Sequence, residues 1–127
     1  MTLKFVIPLP PRTKKNSQRI IVSHGRAMII PSQAYKDYEK DCAVFIPKLD
    51  KPIDYPVTVS AHFFMPTRRP CDLVNLLQSL LDILVKYGVI SDDNYHVVFS
   101  VDGSRVGYCK ENPHTEVEIT GEPNAEE

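Results

Sequence analysis

Residues 57–65, VTVSAHFFM, open with apolar and polar positions in alternation, the period of a strand with one face buried. Residues 73–86, LVNLLQSLLDILVK, change period: Leu73, Leu76, Leu77, Leu80, Leu81 and Leu84 recur at helical spacing and predict one core-facing stripe. Asn75, Gln78, Ser79, Asp82 and Lys86 fall on the more polar side, Asp72 stands at the N-cap, and Gly88 suits the C′ position. Upstream, LKFVIPLP (3–10) predicts a short strand ended by proline, and PPRTKKNSQ (10–18) a polar loop. RIIVSHGRAMII (19–30) has two apolar runs joined through Ser23, His24 and Gly25, the pattern of a hairpin. PSQAYKDYEKDCAVFI (31–46) predicts a second helix, with Ser32 as cap and Tyr35, Tyr38 and Cys42 at helical spacing. Toward the C-terminus, YHVVFSV (95–101) predicts a strand, DGSR (102–105) a hairpin turn with RVGYC (105–109) as its partner, and TEVEIT (115–120) a last, half-exposed strand.

This order predicts a single α+β domain over residues 1–120, a mixed or antiparallel sheet with two packed helices. GEPNAEE (121–127) reads as an acidic, disordered tail. At 127 residues the chain is long enough to bury a core without staples. No apolar run approaches the roughly 18 residues of a membrane span, and the N-terminus lacks a secretory pattern, so the expected place is the cytoplasm. Cys42, Cys71 and Cys109 are widely spaced without a CxxC pair, which predicts isolated thiols rather than a disulfide framework or zinc site.

Charge changes the picture. The formal net charge is −1, yet residues 1–36 carry Lys4, Arg12, Lys14, Lys15, Arg19, Arg26 and Lys36 with no acid. Residues 111–127 carry six glutamates and no Lys or Arg. Local positive charge decides phosphate contact, so a basic arm on a nearly neutral protein is compatible with a polyanionic partner.

Three acids frame the leucine helix: Asp72 before it, Asp92 and Asp93 after it. Each has a structural use, Asp72 as an N-cap and the pair as turn formers. A helix from Leu73 to Tyr87 is roughly 22 Å long, so Asp93 approaches Asp72 only if the chain runs back beside it and the acids meet at one rim. Magnesium would suit such a rim, because it needs one or two carboxylates completed by water and phosphate oxygens. Arg68 and Arg69 stand directly before Asp72, and Arg12, Lys14, Lys15, Asn16 and Arg19 add charge and donors for a sugar-phosphate backbone.

The stretch RRPCDLVNLLQSLLDILVKYGVISDDN resembles the central motif of the RusA family of Holliday junction resolvases, and PLPPRTKKNS with PSQAYKDY fits that family's opening. The resemblance implies a small, homodimeric, magnesium-dependent endonuclease, often encoded by phages and prophages, that nicks four-way DNA junctions symmetrically in recombination and repair. No small-molecule substrate and no membrane are expected among its partners. Asp72 matches the family's first catalytic Asp and Asp93 the acid of its later pair. Asn75 and Asp82 fall on the corresponding Asn and helix Asp, and Arg68 and Arg69 on the basic lead-in. Val74 departs, standing where a second catalytic Asp is usual, and Gln78 stands where a lysine is usual. The resulting catalytic set is Asp72, Asp93, Asn75 and Gln78, with Asp72 and Asp93 as Mg2+ ligands and Asp92 or Asp102 as substitutes for the missing acid.

The alternative is a catalytically impaired dimer that binds branched DNA by shape, its chemistry lost with the acid at 74 and the lysine at 78. A more distant reading is a protein-interaction domain. The four histidines show no ligand spacing; His62 and His96 are expected inside strands, and Tyr35 and Tyr38 in the helix core. Phe63 and Phe64 are adjacent on a strand and face opposite sides.

Overall fold

The computed structural model describes residues 1–14 and 18–123. The alternating segment forms β4 (Val57–Met65), the centre of a five-stranded mixed sheet. Its neighbour on one side is β7 (His114–Gly121), antiparallel, and β7 in turn pairs antiparallel with β1 (Thr2–Ile7). The other edge of β4 is shared by β5 (Val98–Ser100) and β6 (Arg105–Tyr108), both parallel to it. A parallel neighbour needs a crossover, and α2 (Leu73–Lys86) lies in the connection from β4 to β5.

Here one expectation is corrected. The turn at Asp102–Ser104 does not join antiparallel partners: β5 and β6 do not pair with each other but lie one after the other along β4. Ser104 holds this geometry, its Oγ accepting from the Ala61 N–H at 3.1 Å and donating to the Val59 carbonyl at 3.4 Å. β5 is also shorter than the apolar run suggests, which leaves His96 outside it.

Val57, Val59, Ala61 and Phe63 of β4, with Val117 and Ile119 of β7 and Ile7 of β1, form the buried face of the sheet. They join Tyr35, Tyr38 and Cys42 of α1 (Gln33–Cys42) and Leu76, Leu77, Leu80, Ile83 and Leu84 of α2 in one core. Burial pushes the Cys42 thiol up to about 11, so it is an inert core group. The Ser32 side chain accepts from the Tyr35 N–H at 3.2 Å, capping α1 as the sequence predicts. At the other end of α1, Glu39 ties the helices together: its carboxylate takes the Lys86 ammonium and its carbonyl accepts from the Tyr87 hydroxyl at 3.0 Å. Gly88, at φ 77°, ends α2 in the left-handed conformation that favours glycine.

The opposite face of the sheet is covered by no helix among the described residues and carries Lys4, Ser60, His62, Phe64, Glu116 and Glu118. Phe64 packs against His62, tilted with ring centroids 3.9 Å apart, and stacks on His114 at 4.3 Å. The predicted hairpin stands apart as a second, two-stranded sheet of β2 (Gln18–Ser23) and β3 (Arg26–Pro31). His24 and Gly25 both have positive φ, 52° and 75°, as a tight two-residue turn of the I′ kind demands. Among the described residues, no helix is long and apolar enough to cross a membrane.

Candidate active site

The polar ridge of α2 is built by helical spacing. Asp72, Asn75, Gln78 and Asp82 follow one another at intervals of three or four residues, so they share one side of the helix. Asp72 caps it: Oδ1 accepts from the Val74 N–H at 3.0 Å. Val74 itself is 71% exposed, an apolar side chain set out into solvent on the first turn.

The chain leaving α2 runs back along the helix. Ile90 makes a parallel bridge with Ile53, and the following turn brings Asp93 to the middle of α2. There Gln78 Nε2 donates to Asp82 Oδ1 at 3.0 Å and to Asp93 Oδ2 at 3.3 Å. An amide nitrogen carries two hydrogens, so one side chain holds two carboxylates close together. Asp72 lies about 9 Å away along the helix axis, six residues from Gln78. Among the described residues, no hydrogen bond joins Asp72 to Asp93, and no group of three His, Cys, Asp or Glu side chains is placed to hold a metal ion.

The remaining acids sit differently. Asp92 turns both carboxylate oxygens on its own loop, accepting from the Asp93 N–H at 2.7 Å and from Asn94 Nδ2 at 3.1 Å. Asp102 occupies the turn between β5 and β6, where its N–H donates to Ser100 Oγ at 3.1 Å. The next residue, Gly103, has φ 87°, and a Cβ there would fall 2.8 Å from Ser60 Oγ on the helix-free face of the sheet.

A basic segment joins the ridge through a residue that the sequence places on the wrong side. Ser79 is grouped with the polar positions, yet it is only 2% exposed. Its Oγ accepts from the Lys14 N–H at 2.9 Å, which docks the segment one residue from Gln78. The signal was available: 79 lies three residues after Leu76 and four before Ile83, both core positions. Tyr35 is buried in the same region; burial first, then the Glu39 and Asp82 carboxylates, push its phenol up to about 12. Arg12 lies in a shallow depression with Asp37, Tyr38 and Asp41 of α1. Lys15 and Asn16 lie outside the described residues, and Arg19 has its backbone in β2.

At the head of α2, the Arg68 guanidinium lies 4.5 Å from the centroid of the Tyr108 ring, a cation–π contact that orients it. Nothing in the sequence spacing links those two residues, since β6 reaches Arg68 only through its parallel pairing with β4. Arg69 is exposed, its N–H donating to Thr67 Oγ1 at 3.4 Å.

Asp82, Asp93 and Gln78 thus form one cluster on the ridge, with the Lys14 segment docked beside it. Asp72 caps the helix farther along, close in sequence to Arg68 and Arg69. Asp82 is the member that sequence reasoning matched to the motif but left out of the site.

Known proteins bear on this arrangement. Residues 8–120 match the family described as Endodeoxyribonuclease RusA. A crossover junction endodeoxyribonuclease RusA from Aquifex aeolicus (strain VF5) is 37% identical over 59 residues, covering 43% of this chain and 47% of that protein. The chain's match therefore spans about half the length of that curated relative. With the family's pattern matched across most of its length, the chain belongs to the RusA endodeoxyribonuclease family.

Proposed function

We propose that the protein is a structure-specific endonuclease acting on branched DNA, four-way junctions above all, as a magnesium-dependent homodimer. The observation that supports this most is the meeting of Asp82 and Asp93 on Gln78, beside a basic segment pinned through Lys14 to Ser79. Acids for a cation next to bases for phosphate is the composition a phosphodiesterase needs. Two identical sites related by a two-fold axis suit a substrate that must be cut on two strands.

The donor set fits magnesium at its minimum. This ion takes one or two carboxylates and completes its shell with water and phosphate oxygens, so the absence of a three-group cluster among the described residues is no obstacle. Asp93 is the proposed ligand with the best-supported surroundings, Asp82 joins it, and Asp72 enters by its match to the family motif. Asp92 and Asp102 are the weaker substitutes, one engaged with its own turn and the other on a different turn. Magnesium, when bound, supplies polarisation of the phosphoryl group and activation of the attacking water. Gln78 orients the two carboxylates and, with Asn75, offers amide donors to phosphate oxygens. Arg68, Arg69, Arg12, Lys14, Lys15, Asn16 and Arg19 are assigned to the DNA backbone, where charge sets affinity and register rather than sequence preference.

A second reading has its own support. Gln78 holds the two acids together without a positive charge, and Val74 offers no ligand atom. A chain with these substitutions would retain junction binding and lose cutting. One experiment separates the two readings: a labelled four-way junction and a matched linear duplex, each incubated with the protein in magnesium and in EDTA. Paired nicks in the junction with magnesium alone carry the endonuclease. Tight junction binding without nicks in either condition carries the binding protein, and no salt-dependent affinity for either DNA overturns both.

A further inference from the structure

The β2–β3 hairpin violates the usual rule for apolar side chains. Ile20 is 72% exposed, Val22 76% and Ile29 68%, and Met28 is exposed as well. Ile20 pairs with Ile29 and Val22 with Ala27 across the ribbon, so these four share one face. Among the described residues the ribbon belongs to neither the five-stranded sheet nor the core. A lone two-stranded ribbon is marginal in water, and one with an isoleucine pair turned outward has a reason to be covered.

Charge and position indicate what covers it. No acid occurs in residues 1–36, so the ribbon and its flanks are uniformly basic, Arg26 lying beside the turn. A second copy of the ribbon would bring like charges together on both sides of the contact; a polyanion would not. The ribbon is also tied at one end to the candidate active site and at the other to the helix whose Tyr35 is buried near it. Lys14, four residues before β2, is bonded to Ser79, and Ser32, directly after β3, caps the helix that carries Tyr35. Four residues span at most about 14 Å. A nucleic acid seated on the ridge of α2 is therefore within reach of the ribbon.

We infer that the β2–β3 hairpin is a finger whose Ile20–Ile29 face packs on unstacked bases at the branch point of DNA. The inference rests on the reading above and extends it to the feature that is recognised. Paired duplex hides its base faces in the stack, whereas a branch point exposes them, and apolar side chains gain most where bases are unstacked. Basic residues near the ribbon hold phosphates of any DNA; the isoleucine pair supplies preference for the branched form. The turn at His24 and Gly25 keeps the tip only two residues wide.

The test uses a four-way junction carrying 2-aminopurine at the crossover, in EDTA so that nothing is cut, with wild-type protein and the double variant Ile20→Ser, Ile29→Ser. Both substitutions are on the surface, and circular dichroism checks that the fold is kept. The wild type is expected to raise the 2-aminopurine emission. The variant is expected to lose most of that rise and about tenfold of its junction-over-duplex preference, while its duplex affinity stays the same. Wild type that binds the junction without an emission rise, or a variant that keeps it, overturns the finger and leaves the endonuclease reading standing. Wild type that does not bind the junction overturns both. Conversion of a wild-type dimer to a monomer by the variant, seen in sedimentation, overturns the finger in favour of a contact between copies.

Discussion

Gln78 and Asp93, fifteen residues apart in sequence, meet through a 3.3 Å hydrogen bond from Nε2 to Oδ2. The same nitrogen reaches Asp82, so a neutral amide holds a carboxylate of the helix against one from the chain that follows it. Lysine in that position would supply charge as well as reach. A hydrogen bond from a charged donor exceeds a neutral one by about 1–2 kcal/mol, so Gln78→Lys is expected to raise junction nicking about tenfold. Val74 is exposed, so adding Val74→Asp costs little packing and supplies a carboxylate where the proposed reading expects one; the double variant is expected to nick faster than either single one. Single-turnover cleavage of a labelled junction measures all three, and equal rates throughout would remove Gln78 from the site and leave position 74 without a part in the chemistry.

Asp72 has two separable jobs. Its side chain caps α2 through the Val74 N–H, and its charge is what the proposed chemistry uses. Asn caps a helix about as well as Asp, while Ala gives up about 1 kcal/mol. Asp72→Asn is therefore expected to keep the thermal midpoint and abolish nicking. Asp72→Ala is expected to abolish nicking and also lower the midpoint by a few degrees, roughly 4 °C. Calorimetry beside the cleavage assay separates the two, and a nicking-competent Asp72→Asn protein would leave Asp72 as a cap alone.

Much of the fold was legible because its signals are local. The strand at residues 57–65, the capped leucine helix, the Ser32 cap and the tight hairpin turn all follow from alternation, helical spacing and turn chemistry within a dozen residues. The placement of β5 and β6 was not legible. Asp102–Ser104 has the composition of a hairpin turn, but Ser104 spends its hydroxyl on the β4 backbone, and that long-range bond carries β6 onward along the same edge. The site divides the same way. Asp72 and Asp93 stand out in sequence, yet their separation depends on how far the chain after Gly88 runs back. It reaches Gln78, which also holds Asp82, and this makes Asp82 a partner that position alone did not nominate.

Ser79 offers a test of the basic segment that touches no charge. Ser79→Ala leaves the Lys14 N–H without its acceptor, a loss of about 1–3 kcal/mol from the docked arrangement. Junction affinity is expected to fall several-fold while the slope of log affinity against log salt stays constant, because the number of cations available to phosphates is unchanged. Lys14→Ala is expected to act in the other way, reducing that slope by about one. Binding titrations across a salt series distinguish them, and an unaltered affinity in Ser79→Ala would mean that docking of the segment does not matter for DNA.

The two histidines that sandwich Phe64 titrate in opposite directions. At His114 burial opposes the charge, but the Asn112 carbonyl at 2.7 Å and the Glu116 carboxylate at 2.9 Å outweigh it, and the pKa is raised. At His62 burial, then the nearby Arg105 guanidinium, lower it. The raised His114 contributes stability that is present in full below its unfolded value and is lost as pH rises through its folded pKa. The lowered His62 contributes stability that is present above its unfolded value and is lost as pH falls through its folded pKa. Glu116→Gln removes the carboxylate from His114, so the stability lost in this variant should be larger at pH 5.5 than at pH 8. Urea midpoints at both values measure the difference, and proton NMR of the ring signals assigns it: His114 is expected to titrate above free histidine and His62 below it. A variant whose loss grows with pH instead would show that the Glu116–His114 pair does not set the charge on this face of the sheet.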